Sequence, residues 1–165
     1  MLRRSLTALL VGCVLSLGTA YAEDKSEGAK EPKLDGIKCL FCKMNVKKDV
    51  AVDYKGAKIF LGCEGCVGAF EEKVKTDKLV AAKANWQLVA TKQAKQKGCP
   101  MSGGKVDEKM TVKVGGKAAV EVGFCCGNCK KAAAEMEGDK QILALFNDKA
   151  FKKSFVVAKK ESDKK

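Results

Sequence analysis

The chain has no histidine. That absence removes imidazole general-base catalysis, Ser-His-Asp triads, Cys-His dyads and histidine metal ligands. Arginine occurs only at Arg3 and Arg4, so the remaining positive charge is lysine. Lysine is a point charge without the bidentate fork that reads guanine or grips phosphate. Aromatic residues make up 6% of the chain, few for stacking against bases. Nucleic acid is therefore not an expected partner. Proline is limited to Pro32 and Pro100. No glycine-rich phosphate loop is present, and no nucleophile has an evident base. The acidic residues are scattered among lysines and read as solvated pairs. These gaps leave sulfur as the conspicuous chemistry.

The first segment reads as an address. Met1 to Arg4 is basic, Leu6 to Leu17 is apolar, and Ala20-Tyr21-Ala22 has the small-x-small form of a cleavage site. This is a secretory signal peptide over 1–22, too short to span a bilayer. A competing reading is a lipoprotein signal acylated at Cys13. Cleavage after Ala22 implies a periplasmic or secreted protein with no membrane span. It leaves 30 lysines against 20 acidic residues, a net charge of +10, and eight of the nine cysteines. Such a basic surface is soluble and can adhere to anionic envelope material.

Residues 23–36 are polar, without hydrophobic periodicity, and read as a disordered tether. The main motif follows. Cys39-Leu40-Phe41-Cys42 is separated by twenty residues from Cys63-Glu64-Gly65-Cys66. Two residues between thiolates let one tight turn aim both sulfurs at one ion, and twenty residues suffice for a returning β-hairpin. Val50, Val52 and Tyr54 alternate as one strand, Lys55-Gly56 signals the turn, and Ile59 and Leu61 alternate as the return. Val67, Phe70 and Val74 then share a helical face. The first module is knuckle, hairpin, knuckle, helix. A short helix from Asp77 to Lys83 and a strand through Trp86, Leu88 and Ala90 complete it over 37–90. Residues 91–97 are rich in lysine and glutamine and read as a linker.

The second module, 98–158, repeats the plan. Met110, Val112 and Val114 form a strand, Gly115-Gly116 a hairpin turn, and Val120, Val122 and Phe124 the return. Cys125-Cys126-Gly127-Asn128-Cys129 opens a helix that carries Cys129, Ala133 and Met136 on one face. Gly138 stops it, Asp139 caps the next helix, and Ile142, Leu145, Phe146 and Ala150 line that helix. Phe155 to Ala158 reads as a strand matching the one around Trp86, and 159–165 as a charged tail. Cys39 and Cys99, Val46 and Val106, and Gly56 and Gly116 are each 60 positions apart. Cys63 and Cys126, and Cys66 and Cys129, are 63 apart. One insertion of three residues between turn and second knuckle explains the change. Each half has few large apolar side chains, so a metal or crosslink is physically expected. The fold class is α+β, two small modules in tandem.

The first site is Cys39, Cys42, Cys63 and Cys66, a closed four-thiolate set for which Zn²⁺ is the default ion. In the second, Ser102 stands where Cys42 would be. Cys99, Cys126 and Cys129 remain as matched ligands, with Cys125 as an extra thiol. Cys125 completes that site, or its fourth position is open to water, Ser102 or an exchanging partner, or the cysteines are paired as disulfides. Three thiolates suit Cu⁺ as well as Zn²⁺. The eight cysteines of an exported chain also admit disulfides at both sites.

The run from Cys39 to Phe70 resembles a YHS or TRASH-type treble clef. The resemblance rests on Cys39-x-x-Cys42-Lys43-Met44, Tyr54-Lys55-Gly56 and Cys63-x-x-Cys66. The second copy resembles it through Cys99-Pro100-Met101, Gly115-Gly116-Lys117 and Phe124 to Cys129. Together the two cover most of the chain after residue 36, and the whole is similar to tandem exported YHS-like bacterial proteins. The histidine of the family's naming motif is missing, and Ser102 breaks the second knuckle. The resemblance implies heavy-metal binding, as in metallochaperones, sensors and transporters, and names no pathway; the expected partners are a metal ion and another envelope metal-handling protein. Two other functions stay open: a thiol–disulfide oxidoreductase using Cys63-x-x-Cys66 or Cys126-x-x-Cys129, and a structural or adhesive envelope protein stapled by its cysteines. No βαβ pattern surrounds either cysteine pair.

Overall fold

The computed structural model describes residues 32–158. The expected signal peptide, Cys13, most of the expected tether and the expected charged tail lie outside the described residues. Within them the chain is α+β, with five α-helices and three two-stranded antiparallel sheets. Among the described residues no helix is long and apolar enough to cross a membrane.

The first hairpin joins β1 (Ala51–Tyr54) to β2 (Ala57–Phe60). Lys55 and Gly56, at φ 52° and 81°, make a two-residue turn with both central residues left-handed, which matches the twist of the strands. The alternation seen in the sequence places Ile59 in the core and leaves Asp53 exposed. The helix α1 (Gly65–Lys73) follows, burying Cys66 and Phe70. The Phe70 ring meets Tyr54 edge to face at 5.6 Å.

Next comes a single helix, α2 (Lys78–Ala90), where a short helix and a strand were expected. Asp77 caps it, its carboxylate accepting from the backbone N–H of Leu79 and Val80. Val80, Ala81, Ala82, Ala84, Asn85, Trp86, Gln87 and Leu88 are all buried. A helix enclosed on nearly every side has no polar face to mark its period. The alternation of Trp86, Leu88 and Ala90 therefore imitates a strand.

The expected linker carries β3 (Ala94–Gln96), which pairs antiparallel with the terminal strand β6 (Phe155–Val157). The closing strand of each half is thus hydrogen-bonded to the other, and the partner of the final strand is 94–96 rather than the region of Trp86. Glutamines in and beside this segment complete the hairpins. Gln87 donates to Phe60 O and accepts from Phe60 N, both at 2.9 Å. Gln93 does the same for Lys58, and Gln96 for Gly123 of the second hairpin. Each amide stands in for one residue of a neighbouring strand.

The second hairpin joins β4 (Asp107–Val114) to β5 (Val120–Phe124). Its connection runs from Gly115 to Ala119 and contains a 3₁₀ turn over Gly116–Ala118, longer than the expected glycine pair. Those three extra residues are the insertion deduced from the change of offset. The registers agree pair for pair: Val52 opposes Ile59 as Val112 opposes Val122, and Ala51 opposes Phe60 as Thr111 opposes Gly123. Then follow α3 (Gly127–Ala134), α4 (Gly138–Phe146) and α5 (Asp148–Ser154). Met136 falls beyond α3. Asp139 sits in the first turn of α4, whose cap position is Glu137. The helix expected to run on to Ala150 breaks at Asn147, whose side chain caps α5 by accepting from Ala150 N.

One apolar core serves both halves. Ile59, Leu61 and Phe70 from the first join Leu88 of α2 and Val122, Phe124, Leu145, Phe146 and Phe155 from the second. Asn85, fully buried in α2, donates to Phe146 O and Asp148 and accepts from Lys55 Nζ. Lys55 also pairs with Asp148 at 2.6 Å. Burial pushes the Asp148 carboxyl up, but the hydrogen bonds from Lys55 and Asn85 outweigh it and hold it below its ordinary value.

Candidate metal centre

The first knuckle is a tight loop. Lys38 and Asn45 form a bridge, Cys39 N donates to Met44 O at 2.8 Å, and Lys43 is left-handed at φ 58°. The second knuckle copies it: Cys99 N donates to Gly104 O at 2.8 Å, and Gly103 is left-handed at φ 85°. Lys43 and Gly103 are 60 positions apart, so the repeat extends to backbone conformation. In each half the hairpin returns its last strand beside the knuckle, and a helix begins within a few residues of that strand.

This arrangement brings together Cys39, Cys42 and Cys66, whose sulfurs all lie within 4.8 Å of one another. Cys39 and Cys66 are buried. Cys63, the fourth expected ligand, lies outside that triad but adjoins it, its Sγ 3.2 Å from Cys66 Sγ. In the second half the triad is Cys99, Cys125 and Cys129. Cys126, expected as a primary ligand, is exposed and lies 3.8 Å from Cys125. Cys125, expected as the extra thiol, is inside the triad, 3.8 Å from Cys129 and 3.1 Å from Ser102 Oγ. All eight described cysteines are free thiols.

The donor set fits a thiophilic cation. Metal–sulfur bonds of about 2.3 Å arranged as a tetrahedron or triangle put sulfurs roughly 3.8–4.0 Å apart, the spacing found between Cys125 and Cys129. Among the described residues no carboxylate joins either triad. Each triad can hold a metal ion, and sulfur-only donors favour zinc or cuprous ion over calcium or magnesium.

The thiols of each site are electrostatically unlike one another. Burial raises the Cys39 thiol, but backbone N–H groups of Phe41, Cys42 and Gly62 outweigh it and bring it below the usual value. Cys99 is likewise raised by burial, but hydrogen bonds from the Ser102 hydroxyl and from the N–H groups of Ser102, Cys125 and Met101 bring it down to about 6. Cys63 is lowered by its neighbour Cys66, and Cys126 by the N–H of Cys129. Cys66 is pushed up to about 12, first by its bond with Cys63 and then by burial. Cys129 is pushed up to about 12 by burial and by Cys126, Cys125 and Cys99. Each cluster therefore sets a lowered thiol beside a raised one. A cation at the centre would favour the deprotonated form of every thiol that ligates it.

One residue escaped attention in the sequence, and another was read there only as a break in the second knuckle. Gly62 lies against the first knuckle: a Cβ there would fall 2.7 Å from Cys42 Sγ. Ser102, read as a loss, holds Cys125. Their signal is the repeat offset itself, which aligns Gly62 with Cys125 and Cys42 with Ser102.

No protein-family model, no curated protein and no solved structure matches this chain.

Proposed function

We propose that this chain is an exported heavy-metal-binding protein, a metallochaperone, buffer or sensor for Zn²⁺ or Cu⁺. It is built from two treble-clef-like modules of the YHS or TRASH kind. One observation carries the proposal. Two separate halves each gather three sulfurs within 4.8 Å, the first from two knuckle cysteines and a helix, the second from a knuckle, a strand end and a helix. Packing alone has no reason to collect three thiols twice, once in each half of a repeat. Each triad also has an adjoining thiol, Cys63 or Cys126, through which a fourth coordination position can be filled or exchanged with a partner. A buffer or carrier needs such an exchangeable position; a closed structural site does not.

The test is a titration of reduced protein lacking residues 1–22 with Zn²⁺ and, anaerobically, with Cu⁺, read by elemental analysis and free-thiol counting. Two ions per chain are expected, with protection of the thiols. Absence of binding with all eight thiols reduced would end the proposal.

A second reading has one observation in its favour. Cys63 and Cys66 begin a helix with sulfurs 3.2 Å apart, the lowered thiol first and the raised one second, as in a redox pair. Reduction of insulin disulfides at a rate comparable to known oxidoreductases would favour it over metal binding.

A further inference from the structure

The two triads are not built from equivalent residues, and the mismatch has a pattern. The strand registers align Phe60 with Gly123, which places Gly62 opposite Cys125 in the repeat. The knuckles align Cys42 with Ser102. In the first half, position 62 has no side chain, and a Cβ built there would lie 2.7 Å from Cys42 Sγ and 3.2 Å from Cys39 Cβ. A side chain at that position is thus aimed at the knuckle sulfur. In the second half the equivalent position carries Cys125, and its sulfur sits 3.1 Å from the hydroxyl of Ser102. Where the knuckle has sulfur the strand end is bare. Where the strand end has sulfur the knuckle carries the shorter hydroxyl.

We propose that Cys125 is the metal ligand that replaces Cys42, and that the two centres are ligand-exchanged versions of one three-thiolate site. This rests on the metal-binding reading above. Cys39 and Cys99 are equivalent, Cys66 and Cys129 are equivalent, and the third sulfur reaches the same place from opposite sides of one contact. Ser102 is then not a lost ligand. It occupies the space left by the exchange, donates toward Cys125 or accepts from it, and accepts from Gly104 N at 3.1 Å. A sulfur at both positions would collide, as the 2.7 Å approach at Gly62 indicates. Cys126 corresponds to Cys63 and stands outside the primary set, exposed, 3.8 Å from Cys125. The second centre therefore holds a single thiophilic cation through Cys99, Cys125 and Cys129. Spacing alone points instead to Cys99, Cys126 and Cys129.

Titration of the reduced chain with Zn²⁺ against a chromophoric chelator tests the assignment. The unmodified protein should bind two ions. Cys125→Gly and Cys125→Ser should each weaken one site at least 100-fold while the other is unchanged. The double variant Ser102→Cys with Cys125→Gly returns the sulfur to the knuckle and should restore the second ion. Cys126→Ser should keep two ions with affinities within about tenfold of the original. In the first half, Cys42→Ser should lose an ion and Cys42→Ser with Gly62→Cys should regain it. The restored double variants exclude misfolding as the cause of the single-variant losses. If the unmodified chain binds no ion, the metal-binding reading itself fails. If it binds two, and Cys126→Ser loses one while both Cys125 variants keep both, the exchanged-ligand assignment alone is overturned.

Discussion

Gly115 and Gly56 occupy comparable turns but serve different ends. Both have positive φ, at 106° and 81°. A Cβ at Gly56 meets nothing within 4 Å, whereas one at Gly115 would fall 2.4 Å from Trp86 Nε1. That indole packs under the second turn and donates to Val114 O at 3.2 Å. Gly56 is needed for its backbone conformation alone, and Gly115 also for the room it leaves to the ring. Gly56→Ala should therefore cost about 1 kcal/mol, the ordinary penalty of a left-handed alanine. Gly115→Ala should cost roughly 3 kcal/mol, because steric displacement of a buried ring adds to it. Urea unfolding followed by Trp86 fluorescence measures both. Equal losses would mean that the indole yields without strain. The same kind of contact shapes the first cysteine triad. Gly62 and Gly115 are informative because of what their missing side chains would strike. Only three-dimensional neighbours reveal that.

At the scale of elements, the glutamines explain why two-stranded hairpins stand in this fold. An isolated two-stranded sheet is marginal and leaves both edges unpaired. Here Gln87, Gln93 and Gln96 each satisfy both backbone groups of one edge residue. Gln87 is fully buried, so its loss leaves Phe60 N and O without partners in a dry place. Gln87→Leu keeps the volume and should still destabilise by about 2–4 kcal/mol, and Gln87→Glu by no less. Chemical denaturation checks the loss, and faster amide exchange at Phe60 locates it. A neutral Gln87→Leu variant would mean that water or a shifted strand replaces the amide. The hairpins themselves were legible, because alternation and turn residues are local signals. Asp77 was legible as a helix start for the same reason. The interior of α2 was not, since a helix buried all round loses its polar period and Trp86, Leu88 and Ala90 then read as a strand. The role of 91–97 was hidden because its polar glutamines look like solvent-facing residues until the edges they cover are in place. At the site, spacing singled out the cysteines that the fold gathers into two triads, but not the partition between Cys125 and Cys126. Their sulfurs lie 3.8 Å apart, and only the fold shows that Cys125 closes a triad with Cys99 and Cys129 while Cys126 stays exposed.

For the whole molecule, the weight assigned to metal has to change. Two small halves with few apolar side chains would each need a staple. But the core is shared: Leu88 from α2 and Leu145, Phe146, Phe151 and Phe155 from the later helices and last strand all bury in one cluster with Ile59 and Phe70. The pairing of β3 with β6 and the Asn85 network tie the halves further. A chain that pools its interior in this way buries a larger fraction of its surface than either half alone. Chelation of bound metal under reducing conditions should therefore lower the melting temperature without abolishing the fold. A site with free ion at 100 times its Kd contributes about 2.7 kcal/mol, equivalent to roughly 10 °C for a domain of this size. Loss of both ions should lower the midpoint by on the order of 20 °C, while far-ultraviolet circular dichroism at 25 °C keeps its helical signal and melting stays a single transition. A random-coil spectrum after chelation would return the thiolate centres to the role of staples. Retention of the fold would free them for exchange, because a protein that survives giving up its ion can deliver it.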